Sequence, residues 1–158
     1  MNTVVEATDP LSFAQQRLWL LDGLLPIGSA YNVRHVLRLS GNLDTRALEQ
    51  ALNEIVCRHE ALRTRFDLID GAPIQLITEA DPIGLKVKDL SSLPTEQRES
   101  AARSQAISEA QTRFDLRHGP LFRVRVLRLS ESEHWLLICL HHIVTDGWST
   151  GVLVRLTR

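Results

Sequence analysis

The sequence predicts an α/β (α+β) domain in which a mixed sheet is flanked by helices. Three observations carry this. Apolar residues recur every three or four positions in some stretches and every second position in others. These two patterns interleave along the chain instead of segregating into halves. Short turns rich in Gly, Asn and Asp join several strand-like stretches, so part of the pairing is antiparallel. At 158 residues the chain suits one domain, which buries roughly 68–70% of its unfolded surface.

In chain order, the first element is a helix over residues 12–25. Phe13, Ala14, Leu18, Leu21, Leu24 and Leu25 fall at helical spacing. Ser12 is placed as its N-cap, and Pro26 and Gly28 stop it. Residues 31–39 alternate through Tyr31, Val33, His35, Leu37 and Leu39, a strand with one buried face. After the Gly41-Asn42 turn, Asp44 precedes an amphipathic helix carrying Leu48, Leu52, Ile55, Val56 and His59.

Strand-like stretches at 62–68 and 74–77 flank Asp70-Gly71, a hairpin signal. A short strand at 85–87 precedes a helix over 95–114, whose outer face carries Glu96, Arg98, Glu99 and Arg103. Gly119 and Pro120 break the chain. Two strands follow, at 122–129 and 134–140. The second is almost wholly apolar, so it is expected at the sheet centre, covered on both faces. It leads directly into His141 and His142.

A net charge of −1 gives no electrostatic reason to bind nucleic acid or an anionic membrane. Arg123 and Arg125 alternate with Phe122, Val124 and Val126, which reads as the wet face of a strand. The N-terminus has no basic residue before Arg17 and no signal-peptide pattern. No run approaches the roughly 20 apolar residues of a membrane helix. Cys57 and Cys139 both sit in apolar-periodic segments and are expected as buried thiols of a cytoplasmic protein.

Chemistry concentrates in HHIVTDGWS, residues 141–149. An imidazole titrates near neutral pH, at roughly 6.5 when unperturbed. A mount at the end of a buried strand holds it in place for a reaction. Asp146 follows His142 by four residues, and Gly147 permits a tight turn. Asp146 either orients the imidazole or pairs with an arginine. A His-xxx-Asp metal site has no third ligand nearby, so no metal is expected. A Ser-His-Asp hydrolase lacks its GxSxG elbow. Cys139, three positions from His142, falls on the opposite side of the strand. His35, His59, His118 and His134 are read as structural or surface residues.

The HHxxxDG pattern of His141, His142, Asp146 and Gly147 resembles the active-site motif of condensation domains from nonribosomal peptide synthetases. LSFAQQRLWLLDGL at 11–24 resembles the family's first core motif, and RHEALRTRF at 58–66 its second. FDLRHGPLFRVRVLRL at 114–129 is also typical. The resemblance implies a chloramphenicol-acetyltransferase-like N-terminal lobe, a two-layer sandwich. It also implies amide-bond formation between acyl and aminoacyl thioesters held on the phosphopantetheine of carrier domains.

By the same resemblance His142 is the catalytic residue and His141 is structural. Asp146 pairs with Arg58 or Arg63, Arg58 being the preferred partner, and Gly147 shapes the turn. No covalently bound cofactor is expected in this chain. The implied partners are carrier domains, adenylation domains of the same synthetase and the C-terminal lobe. Residues 1–158 are expected to be an N-terminal lobe cut shortly after HHxxxDG, weakly active or inactive alone, with exposed apolar surface where the second lobe belongs. Two other readings are a carrier-docking module without turnover and a coenzyme A-dependent acyltransferase of the same superfamily.

Overall fold

The computed structural model describes residues 4–24 and 28–145. Seven strands and three helices are built over these residues, in two sheets. Four strands form the larger sheet: β2 (Asn32–Ser40), β5 (Lys86–Asp89), β6 (Phe122–Arg128) and β7 (Glu133–His141). Their order is β2-β7-β6-β5, with β5 parallel to β6 and the other pairs antiparallel. The smaller sheet, of order β1-β4-β3, is antiparallel and contains β1 (Val5–Pro10), β3 (Thr64–Ile69) and β4 (Ala72–Thr78).

The apolar run of β7 is central, as its composition requires. Every residue from His134 to His141 is buried. Its alternate side chains serve two cores. Leu136, Ile138 and Leu140 join Phe122, Val124 and Val126 of β6 under α2 (Thr45–Arg58), which contributes Leu52 and Val56. Trp135 and Leu137 face the other way, with Leu127, Leu129 and Ala102 of α3 (Thr95–Gln111). Helices therefore flank both faces of the mixed sheet, the α/β arrangement with flanking helices that the sequence predicts.

Local chemistry explains the element ends. Asp44 caps α2 by accepting the N–H groups of Arg46 and Ala47, each at 3.0 Å. Asp70 and Gly71 both have positive φ, 51° and 79°, the geometry a two-residue β3–β4 hairpin turn needs. The helix α3 stops at Gln111, three residues short of the expected 114. Asn32 and Arg123 both donate to the carbonyl of Thr112, at 2.9 and 2.7 Å, and take over the exposed helix end.

Several expectations change. Strand β1 was invisible in the sequence because it is a sheet edge with all six residues exposed, so no alternation marks it. Arg123 and Arg125 are not a wet face: α3 covers them. Arg123 lies 3.7 Å from the Phe114 ring centre, and Arg125 pairs with Glu109 at 2.7 Å. Arg98, expected on the outer face of α3, turns back to the carbonyls of Leu93 and Ser91. Cys139 is buried, and burial pushes its thiol pKa up, but Cys57 is exposed on α2. Among the described residues, no helix is long and apolar enough to cross a membrane.

A third core ties the two sheets to α1 (Phe13–Leu24). Leu11, Phe66, Phe114, Leu121, Ile143 and Val144 pack together there, with Leu18 and Trp19 of α1 against them. On the opposite side of α1, Phe13, Leu20 and Leu24 are exposed, Phe13 to 91%. Their spacing of seven and four residues puts them on one stripe. Leu68 of β3 borders the same surface and is also exposed.

Candidate active site

The site is set by the end of β7. Backbone pairing persists to its last residues on both sides: the His141 N–H reaches Leu121 O at 3.0 Å, and the His142 N–H reaches Tyr31 O at 2.8 Å. Residues His142–Val144 then form one 3-10 turn, closed by a long Thr145 N–H to His142 O contact of 3.4 Å. The side chains of Ile143 and Val144 anchor this turn in the third core. A histidine mounted on a three-residue turn, with paired backbone before it and buried side chains after it, has little freedom to wander.

The two histidines differ sharply. His141 is 3% exposed and meets Tyr31 and Phe114 edge-on, each with ring centres 6.2 Å apart. Its Nδ1 accepts the Ile143 N–H at 3.2 Å. Burial lowers its pKa from 6.5 to about 4, so the ring is neutral at neutral pH. His141 Nδ1 is thus held as a buried acceptor within its own turn.

His142 is exposed, and its Nδ1 lies 2.8 Å from the Thr145 carbonyl oxygen. A carbonyl only accepts, so Nδ1 carries the hydrogen in this contact, and in the neutral ring Nε2 is the acceptor. The imidazole borders a cleft of about 430 Å³ with Gln15, Leu18, Ala61, Thr64 and Gln75 around it. A substrate N–H placed in that cleft would meet a lone pair whose direction the backbone has already chosen.

The other expected site residues divide. Asp146 and Gly147 lie outside the described residues, so the Asp146–arginine pair is an expectation only. Of its two candidate partners, Arg58 is at the exposed end of α2, 71% accessible, and bonds Glu54 at 2.6 Å. Arg63 is only 12% accessible. It pairs with Glu6, lies 3.6 Å from Glu60 and donates to Thr78 O at 2.6 Å. Arg58 is thus the exposed candidate and Arg63 the more buried one. Arg63 is the arginine whose loss would strand its acceptors.

Two residues of this cleft were missed in the sequence, Gln15 and Gln75. Gln15 Nε2 donates to Gln75 Oε1 at 3.0 Å and to Ile143 O at 3.3 Å, while Gln75 Nε2 reaches Pro10 O at 3.1 Å. A signal for the first existed: Ser12-x-x-Gln15 is a capping box, and both of its hydrogen bonds form, at 2.9 and 3.3 Å. Among the described residues, no group of three or more His, Cys, Asp or Glu is placed to hold a metal ion.

The condensation domain family matches residues 5–158. A linear gramicidin synthase of Brevibacillus parabrevis is 46% identical over 153 residues, covering 97% of this chain and 3% of that protein. Phosphinothricin tripeptide synthetase PhsB of Streptomyces viridochromogenes is 43% identical over 149 residues, 94% of this chain and 12% of its own length. The chain thus spans a small part of these relatives. The crystal structure of the starter condensation domain of rhizomide synthetase RzmA superposes with a TM-score of 0.88 at 25% identity, over 96% of this chain and 36% of that one. A mixed sheet ending in a histidine turn and a family match over nearly the whole chain lead to one assignment: this chain belongs to the condensation domain family.

Proposed function

We propose that this chain is the N-terminal, histidine-bearing lobe of a domain that forms amide bonds between acyl and aminoacyl thioesters. The observation that carries the proposal is the His142 imidazole, held through Nδ1 by the Thr145 carbonyl with Nε2 free to accept at the cleft. The amine of one substrate attacks the thioester carbonyl of the other. A C–N bond forms, the C–S bond breaks, and the amine proton passes by way of His142 Nε2 to the departing thiolate. An amine cannot attack while its lone pair holds a proton, so an oriented acceptor at this point lowers the barrier.

Both substrates are proposed to arrive on the phosphopantetheine arms of carrier domains loaded by adenylation domains, with a C-terminal lobe closing the other side of the cleft. Arg63 supports the site by joining β1, β4 and the turn before β3. The test is transfer between two loaded carriers, followed by mass spectrometry of the intact carriers. The protein containing this lobe is expected to move the donor acyl group onto the acceptor aminoacyl carrier. Carrier binding without any transfer would replace the proposal with the docking reading.

A further inference from the structure

We infer that Gln15 is a positioning residue for His142, acting through the backbone of the histidine turn. The inference rests on the proposed role of His142 and deepens it. The turn that carries the imidazole receives a side-chain donor on its backbone from a distant element, the Gln15 amide at the Ile143 carbonyl, 3.3 Å away. This carbonyl lies between His142 and Thr145, the two ends of the hydrogen bond that sets which imidazole nitrogen accepts.

The Gln15 amide is itself over-determined. Its oxygen accepts the Ser12 N–H at 2.9 Å, so the amide cannot be flipped. Both hydrogens of its Nε2 are then used, one on Gln75 Oε1 at 3.0 Å and one on Ile143 O. Gln75 is fixed in turn by Pro10 O at 3.1 Å. The N-terminus of α1, the middle of β4 and the end of β1 thereby converge on one carbonyl of the histidine turn. A purely structural glutamine would need only the capping box. The reach across to Ile143 adds nothing to the helix and acts on the turn.

Substitution separates the two roles. In Gln15→Glu the carboxylate still accepts the Ser12 N–H, so the cap survives, but the donor to Ile143 O is gone. Ser12→Ala does the reverse: it removes the hydroxyl acceptor for the Gln15 N–H and leaves the tether. The readout is the imidazole tautomer of His142, from long-range nitrogen–proton correlation spectra of the chain labelled with 15N-histidine, at a pH where the ring is unprotonated.

The Nδ1–H form is expected to dominate in the unsubstituted chain. The ratio of Nδ1–H to Nε2–H should fall by about three- to tenfold in Gln15→Glu, the factor that one ordinary hydrogen bond supports. It should stay unchanged in Ser12→Ala. An unchanged ratio in Gln15→Glu, or an equal fall in Ser12→Ala, overturns the inference. Should Gln15→Glu fail to fold, nuclear Overhauser contacts from the Gln15 amide protons to the Val144 N–H in the unsubstituted chain decide, and their absence overturns it. None of these readouts involves turnover, so failure of amide synthesis and failure of the tether are told apart.

Discussion

Acidification should destabilise the fold through His141, and the size of the effect follows from its surroundings. The ring is buried between Tyr31 and Phe114, and its Nδ1 already accepts the Ile143 N–H. Protonation would turn that acceptor into a second donor facing the first. In the folded chain the pKa is lowered from 6.5 to about 4. Between those values the unfolded chain binds the proton and the folded chain does not.

The contribution of His141 is therefore complete above about pH 6.5 and is lost as pH falls toward 4. A depression of this size corresponds to roughly 3 kcal/mol. Urea unfolding measured from pH 7.5 to 4 should show this loss in the parent chain. In His141→Gln, which keeps an acceptor and cannot titrate, the decline should be shallower by about that amount. Asp89, Glu99 and Asp115 have lowered pKa values, as do His35 and His134, but their contributions are common to both proteins. Parallel pH profiles of the two proteins would mean that His141 protonation does not set this loss.

Other outcomes follow from the packing. Arg63→Ala should cost about 1–3 kcal/mol, because Thr78 O and Glu6 lose their donor; Arg58→Ala, which breaks only an exposed pair with Glu54, should stay within about 0.5 kcal/mol in the same denaturant titration. Phe66→Ala should cost about 3–5 kcal/mol, since the ring is fully buried against Trp19 and shares a core with Ile143 and Val144. Sedimentation should show concentration-dependent association through the exposed Phe13, Leu20 and Leu24 stripe. Leu20→Glu with Leu24→Glu should restore a monomer, and association unaffected by the pair would place the contact elsewhere.

Much of this architecture is legible in the sequence, for a physical reason. Where one face of an element is buried, its period appears in the residues: Leu52 and Val56 of α2, the paired alternations of β6, and the unbroken apolar run of β7. Asp70-Gly71 marked its hairpin because both residues need positive φ. What stayed hidden depends on neighbours distant in the chain. No local pattern distinguishes an edge strand such as β1 from a loop. Arg123 and Arg125 look like surface residues until α3 is laid over them. The same holds at the site. The histidine motif located His142, but the reach of Gln15 to Ile143, a separation of 128 residues, exists only in the fold.

The proposed role of His142 is to supply the oriented acceptor for amide formation. It is tested most directly by the single-turnover rate of acyl transfer between loaded carriers in the protein containing this lobe, with and without His142→Ala. The ring is exposed and bonds the Thr145 carbonyl at the end of its own turn, so the variant should fold with stability close to that of the parent. The transfer rate is expected to fall by about 10²-fold or more, the lower range for loss of a general base. A variant that folds and transfers at the parental rate would contradict it.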